Sequence, residues 1–279
     1  DTSNHYKGPA NMAISVSKVI AKLTKTIQKV KPDILIIHGD RFETMGAAIA
    51  GHENNIITAH IEGGDMTYGG THDDNIRHAI TKLSHIHYTT NKHSYKRVLS
   101  LGEEKSRVKL VGFTALDLIK NKDYTKKEKI LRKYNFNMHN PILLFTMHPL
   151  SFSFNKTKEE IQASLKALLK AIRKFNAYCI ITYPNNDAGS EYILKSIKSF
   201  SNLNKNVRLY KSLGRKDYWG IMNLFKLNFK VICIGNSSSG IKESSAFNCP
   251  TINIGNRQKG RLAGKNINNF CDIVLTSSN

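Results

Sequence analysis

Apolar positions along this chain fall into two alternating rhythms. In residues 9–30, "PANMAISVSKVIAKLTKTIQKV", Met12, Val16, Val19, Ile20, Leu23 and Ile27 recur at helical spacing. Pro32 then closes the helix. "DILIIHGD" is short, continuous and rich in Ile, the pattern of a buried parallel strand. "RFETMGAAIAGHEN" returns to the helical period, and "NIITAHIEGGD" reads as a strand ending in Gly-Gly. "DDNIRHAITKLS" predicts a helix, "IHYTTN" a strand, "KHSYKRVLSLG" a helix and "RVKLVGF" a strand. Strict alternation of this kind predicts a parallel α/β sheet.

Between residues 120 and 140 the alternation breaks into a charged, amphipathic stretch, read as the crossing into a second domain. It restarts with the strand "PILLFTMHP", the helix "KEEIQASLKALLKAIRKF" and the strand "AYCIITYP". The helix "AGSEYILKSIKSF", the strand "VRLYKSL" and the helix "DYWGIMNLF" follow. "FKVICIGNSSSGIKESSAFNCP" reads as strand, turn and helix, and "TINIG" as the last clear strand. The predicted fold class is α/β, with two Rossmann-like domains at 1–139 and 140–279. Ligands are expected in a cleft at the strand C-termini.

Composition narrows the function classes. At 279 residues the chain suits two domains, and 40% hydrophobic residues suffice for packed interiors. Apolar runs are too short for a transmembrane helix, and no secretory leader is visible, so membrane attachment is not expected. The net charge of +21 raises nucleic-acid binding as a reading. The basic residues are spread along the chain, though, with no aromatic-interleaved stripe. A lysine-rich solvated surface that also attracts a diphosphate accounts for them. Cys179, Cys233, Cys249 and Cys271 form no CxxC pair, so buried reduced thiols in a cytoplasmic protein are expected.

The candidate chemistry shares one address, the C-terminal end of parallel strands. Asp40 and Arg41 follow "ILIIHG", Glu62 follows "IITAHI" and His148 follows "ILLFTM". Asn185 follows "IITYP", and Ser237 and Ser238 follow "VICIGN". Single residues there are usually caps or turns; five strands ending this way point to a ligand crevice. In "GNSSSGIKE", Gly235 permits close backbone approach and the serines open a helix, a setting for a phosphate. Glu243, one turn inside, could accept from ribose hydroxyls. A serine-rich N-cap is the local alternative. Neither GxGxxG nor a Walker loop is present, so no NAD or ATP cofactor is expected.

Asp40, Glu62 and Asp73 form a second set. Three carboxylates in one cleft would repel, raise at least one pKa and prepare it for proton transfer. Asp73 and Arg77 also stand at i and i+4, where an ordinary intrahelical ion pair is the simpler reading. Metal binding with His60, His72 or His78 fits no known ligand spacing, and no metal is expected.

"HGDRFE", "HIEGGD", "DDNIRHAITKLSHIH", "TMHP", "YPNNDAGS", "GNSSSGIKE" and "PTINIGNRQKGR" occur in this order from about residue 30 to about 267. Each is modest alone; as an ordered set they resemble the hydrolysing UDP-N-acetylglucosamine 2-epimerases, including the epimerase half of a bifunctional epimerase/kinase. The resemblance implies a glycosyltransferase-B-like pair of domains. It implies conversion of UDP-GlcNAc to N-acetylmannosamine and UDP, no redox cofactor and a homodimer or homotetramer. Asp40, Glu62 and Asp73 fall on the family's catalytic carboxylates, Arg77 on its adjacent arginine and His148 on the histidine near the diphosphate. Arg41, Asn185, Gly235, Ser237, Ser238, Glu243 and Arg257 fall on nucleotide-contacting positions. "HIEGG", where non-hydrolysing relatives carry "HVEAG", favours the hydrolysing branch.

Two departures from the family pattern are expected to matter. The opening strand with its substrate-touching loop has no counterpart before Asp1, and the closing helices have none after Asn279, as in a piece of a longer chain. "GGDMTYGGTHDD" also reads as a lengthened loop before the Asp pair. UDP-N,N'-diacetylbacillosamine is an alternative substrate. A glycosyltransferase of the same architecture, or a non-catalytic nucleotide binder, are alternative functions.

Overall fold

A computed structural model describes residues 9–67, 72–150, 154–185, 187 and 189–270. The chain divides into two compact units, Asp1–Thr114 and Ala115–Asn279. In the first, strands β1 (Ile34–His38), β2 (Ile57–Ile61), β3 (Ile86–Thr89) and β4 (Val108–Leu110) lie side by side in chain order. Every pairing is parallel. Helix α1 (Pro9–Val30) leads into β1, and α2 (Phe42–Glu53), α3 (His72–Lys82) and α4 (Lys92–Ser100) supply the three connections. Ile37, Phe42, Ala48, Ile76 and Ile80 form the core, with Met12 and Val16 of α1 against it.

β1 departs from the fully buried strand that its composition predicts. It is an edge strand, and only Ile37 of its five residues is buried. Ile34 and Ile36 share one face and are 49% and 65% exposed. A continuous apolar run signals a parallel strand without showing how many of its faces are covered.

The second unit opens with α5 (Ala115–Lys120) and α6 (Lys127–Tyr134). Six parallel strands follow: β5 (Ile142–Thr146), β6 (Tyr178–Thr182), β7 (Val207–Tyr210), β8 (Val231–Gly235), β9 (Thr251–Ile254) and β10 (Ile267–Phe270). Their spatial order is β10-β9-β8-β5-β6-β7. That is the doubly wound order, with its reversal between β5 and β8. Helices α7 (Phe154–Phe175), α8 (Ser190–Asn202), α9 (Gly214–Leu224) and the short α10 (Ser238–Lys242) complete the unit. One apolar cluster centres on Trp219, Ile142, Leu144 and Phe247. Another centres on Phe145, Ile161, Ile181 and Ile193. β5 contributes alternately to both, which is why its pattern reads as continuous.

The segment 115–139 belongs to the second unit, so the division lies at Thr114/Ala115 rather than at 139/140. Ile119, Ile130, Tyr134 and Phe136 enter the Trp219 cluster. Asp217 on α9 accepts from Thr125, from Lys133 at 2.5 Å and from Tyr134 Oη at 2.7 Å. The sparse apolar residues of this amphipathic stretch, not its many charges, set its place. β10, with sequence INNF, carries no strong periodic signal. It is defined by its pairing to β9 and by an Asn253–Asn269 amide contact at 2.8 Å.

Candidate functional site

Asp40 and Glu62 leave the ends of neighbouring strands. The Gly39 N–H donates to Ile61 O at 3.0 Å, extending the β1–β2 ladder into the turn that carries Asp40. Glu62 follows Ile61 directly, with its N–H on Tyr88 O at 2.9 Å. Its φ of 69° puts a non-glycine residue in the left-handed region. Such strain persists only where surroundings enforce it, and it concentrates at functional positions. The Glu62 side chain is 12% exposed and lies 3.1 Å from His38 Nε2.

Arg77 organises the acidic groups. It is 1% exposed and forms ion pairs with Asp40 and, at 2.5 Å, with Asp74. It also donates to Asp65 O at 2.7 Å. Asp74 accepts in turn from Thr67 N at 3.1 Å and Thr67 Oγ1 at 2.7 Å. Burial disfavours the guanidinium charge, but Asp40 and Asp74 outweigh it and hold Arg77 firmly cationic. Arg77 is therefore compensated by two carboxylates, one inside α3 and one from the turn after β1. Asp73 sits half-buried beside Asp74 in the first turn of α3. Arg41 is the N-cap residue of α2, with Nε 3.6 Å from Glu43 and its guanidinium over Phe42.

His60 lies beneath this array, fully buried. Its Nε2 meets Gly39 O at 2.9 Å and its Nδ1 meets Thr81 Oγ1 at 3.2 Å. A carbonyl only accepts, so Nε2 carries the proton. Burial lowers the pKa to about 4 and keeps the ring neutral. Both nitrogens are committed, so His60 is a brace under the Asp40 turn rather than a metal ligand.

In the second unit the polar groups gather where β5 and β8 adjoin, the reversal point of the sheet. Gly235 has a φ of 132°, and a Cβ there would lie 1.9 Å from Thr146 O. Only glycine lets the two strand ends come this close. Asn236, fully buried, accepts from His148 N at 2.7 Å and donates to His148 O at 2.9 Å. The carbonyl of Asn236 accepts from Gln258 at 2.9 Å and from Arg257 Nη1 at 3.3 Å. The Asn185 N–H donates to His148 Nδ1 at 3.0 Å, and the Asn185 side-chain amide donates to Asp187.

Ser237 is the N-cap of α10 and makes no side-chain capping bond. Its hydroxyl is thus not used as the local capping reading requires. α10 has only five residues, so its dipole is short. Gly235 and Ser237 line a small recess with Thr146, Tyr218, Gly240 and Asn253. Glu243, half-buried just past α10, accepts a hydrogen bond from Trp219 Nε1.

A family description, UDP-N-acetylglucosamine 2-epimerase, matches residues 4–272. The chain belongs to this 2-epimerase family. It is 36% identical over 256 residues to a GDP/UDP-N,N'-diacetylbacillosamine 2-epimerase (hydrolyzing) of Campylobacter jejuni, covering 91% of this chain and 64% of that protein. It is 31% identical to a UDP-N-acetylglucosamine 2-epimerase of Neisseria meningitidis, covering 95% of this chain and 66% of that one. The chain thus spans about two-thirds of the length of these relatives. In fold it resembles the crystal structure of a UDP-GlcNAc 2-epimerase from Neisseria meningitidis bound to UDP-GlcNAc. The TM-score is 0.73 at 20% identity, over 91% of this chain and 67% of that one.

Within the 2-epimerase chain, each unit assembles its own set of residues singled out from the sequence. Asp40 touches Arg77, and Glu62 leaves the strand next to that of Asp40. Asn185 touches His148, and Asn236 joins His148 to Arg257. Three participants escaped the sequence reading, Asp74, Asn236 and Trp219, and His60 entered it only as a metal-ligand candidate. Two of the three had a signal available, since Asn236 lies inside "GNSSSG" and Trp219 is the chain's single tryptophan. Residues 68–71 of the loop read as lengthened, and the His72 side chain, lie outside the described residues. Among described residues, no helix is long and apolar enough to cross a membrane. Cys179, Cys233 and Cys249 are buried free thiols; Cys271 is outside the described residues.

Proposed function

We propose that the chain carries the chemistry of a hydrolysing 2-epimerase, converting UDP-GlcNAc to N-acetylmannosamine and UDP. The observation that carries this reading is the pair of carboxylates on adjacent strand ends. Asp40 is paired to a buried arginine, and Glu62 is held in a left-handed backbone.

The chemistry requires such groups. The C2 proton of a GlcNAc unit has no adjacent carbonyl and is not acidic. Breaking the C1–O bond, with its electron pair leaving on the diphosphate, makes C1 cationic and acidifies C2–H. A carboxylate stabilises the oxocarbenium-like centre and takes the C2 proton, leaving a C1=C2 double bond in 2-acetamidoglucal. Water then adds, hydroxyl to C1 and proton to C2 on the opposite face, giving the manno configuration. Asp40, Glu62 and Asp73 are assigned to these proton transfers. His148, Arg257, Arg41 and the hydroxyls of Ser237 and Ser238 are assigned to the departing diphosphate. Glu243 is assigned to the ribose, and Asn185 and Gly235 to the nucleotide side.

The relatives divide between N-acetylglucosamine and diacetylbacillosamine substrates in their names, so UDP-N,N'-diacetylbacillosamine is the alternative for the same reaction. The deciding experiment incubates the protein with UDP-GlcNAc in deuterated water and follows it by NMR. Free N-acetylmannosamine with deuterium at C2 is expected. UDP-linked ManNAc as the only product would identify a non-hydrolysing epimerase and overturn the proposal.

A further inference from the structure

We infer that His148 works as a fixed hydrogen-bond donor with its proton on Nε2, and that Asn236 is the residue positioning it. This deepens the proposed reading, since it concerns the same diphosphate side of the site, but its first test does not depend on turnover.

The tautomer follows from the partner of Nδ1. The Asn185 backbone N–H approaches it at 3.0 Å, and a backbone amide can only donate. Nδ1 therefore offers its lone pair, and the neutral ring carries its proton on Nε2. A proton added at Nδ1 would face the Asn185 N–H, break that bond and leave a partly buried amide unsatisfied. A ring held this way is suited to donating Nε2–H to an oxyanion, and poorly suited to shuttling protons through Nδ1.

The backbone of His148 is gripped from the other side. Asn236 uses both ends of its amide, Oδ1 on His148 N and Nδ2 on His148 O. The amide orientation is forced, because the backbone groups leave no alternative match of donor to acceptor. Asn236 is itself fully buried, with its N–H on Thr146 O at 3.2 Å. Its carbonyl receives Arg257 and Gln258. One residue thus sets where His148 leaves β5 and where Arg257 stands, joining the two cationic or donor groups assigned to one diphosphate. An aspartate at 236 could accept from His148 N, but its second oxygen would confront His148 O. A hydrophobic residue would satisfy neither.

Long-range proton–nitrogen NMR on the whole protein, with the His148 signals assigned by their loss in His148→Gln, reads the tautomer directly. A protonated Nε2 and a bare Nδ1 are expected; a proton resting on Nδ1 overturns the inference. Asn236→Asp and Asn236→Ala are expected to yield a mixture of His148 tautomers and at least tenfold lower turnover. If either variant folds and keeps the wild-type tautomer with wild-type turnover, Asn236 is only a structural tie. A side-chain pair separates donor positions: the Gln amide nitrogen stands near Nε2, the Asn amide nitrogen near Nδ1. His148→Gln should exceed His148→Asn in turnover by about tenfold; equal losses count against the Nε2 donor. Should the wild type show no turnover at all, the proposed function fails, while the NMR result still decides the tautomer.

Discussion

Asp40 and Arg77, 37 residues apart in sequence, meet as an ion pair between the turn after β1 and the middle of α3. The pair explains why an acidic and a basic residue stand together in "HGDRFE": Asp40 is turned to Arg77, and Arg41 to Glu43 at the head of α2. Arg77 also holds Asp74 and the Asp65 carbonyl, so its removal leaves two carboxylates uncompensated. Arg77→Met is expected to cost about 3–5 kcal/mol in urea unfolding, the usual consequence of removing one partner from a buried pair. Arg77→Lys should recover only part of this, because one ammonium cannot reach three acceptors in a planar fork.

Adjacent aspartates on α3 should separate in role. Asp74 is buried, paired to Arg77 and bonded to Thr67, so Asp74→Asn should lower stability by about 1–3 kcal/mol. Asp73 is assigned to the sugar, so Asp73→Asn should lower turnover at least about a hundredfold with little change in stability. Asp40→Asn and Glu62→Gln should also lose about a hundredfold in turnover, with UDP affinity within about threefold of wild type. Near-normal turnover in Asp40→Asn, Glu62→Gln and Asp73→Asn together would remove the carboxylate assignment.

What the sequence could reveal here depended on how local the cause was. Alternating apolar runs place most strands and helices, because burial of a strand or a helix face leaves a period in the residues themselves. The strand ends were legible for the same reason: polar residues closing apolar runs mark the sheet edge where ligands bind. His60 and Asn236 owe their roles to partners 21 and 88 residues away, Gly39 and His148. Asp74 bonds the nearby Arg77 and Thr67, but the burial that sets it apart from Asp73 leaves no mark on the local sequence. Segment 115–139 was misplaced because four apolar residues, Ile119, Ile130, Tyr134 and Phe136, decide its packing against a background of lysines. β1 showed its strand character but not its exposed face, since Ile residues look alike whether or not something covers them.

Two buried groups should tilt stability with pH in opposite directions. Burial lowers the His60 pKa to about 4 from 6.5. Between those values the unfolded chain binds a proton that the folded one refuses, so stability present above 6.5 is lost as pH falls towards 4. Burial raises the Glu160 pKa to about 7 from 4.5, and neither carboxylate oxygen has a hydrogen-bond partner among the described residues. Here the folded chain keeps a proton that the unfolded one releases, so stability present below 4.5 is lost as pH rises towards 7. Each effect is worth up to about 3 kcal/mol. Glu160→Gln should therefore gain on the wild type as pH rises from 4.5 to 7, and His60→Asn should gain on it as pH falls from 6.5 to 4. Unfolding curves for both variants that run parallel to the wild type across pH would show that neither group titrates as its burial dictates.

The indole of Trp219 makes the ribose assignment of Glu243 testable. Trp219 is 1% exposed within the core of its unit, yet its N–H reaches out of that core to Glu243. Removing the donor while keeping an aromatic ring, as in Trp219→Phe, should loosen the orientation of the carboxylate and weaken UDP binding about tenfold, the size of one charge-assisted hydrogen bond. The loss should be selective. A UDP analogue lacking the 2′- and 3′-hydroxyls has no diol for Glu243 to accept from, so wild type and Trp219→Phe should bind it alike. Calorimetry with both ligands separates the cases. Equal weakening for the two ligands would mean that Trp219 only fills the core, and an unchanged affinity for both would mean that Glu243 does not hold the ribose.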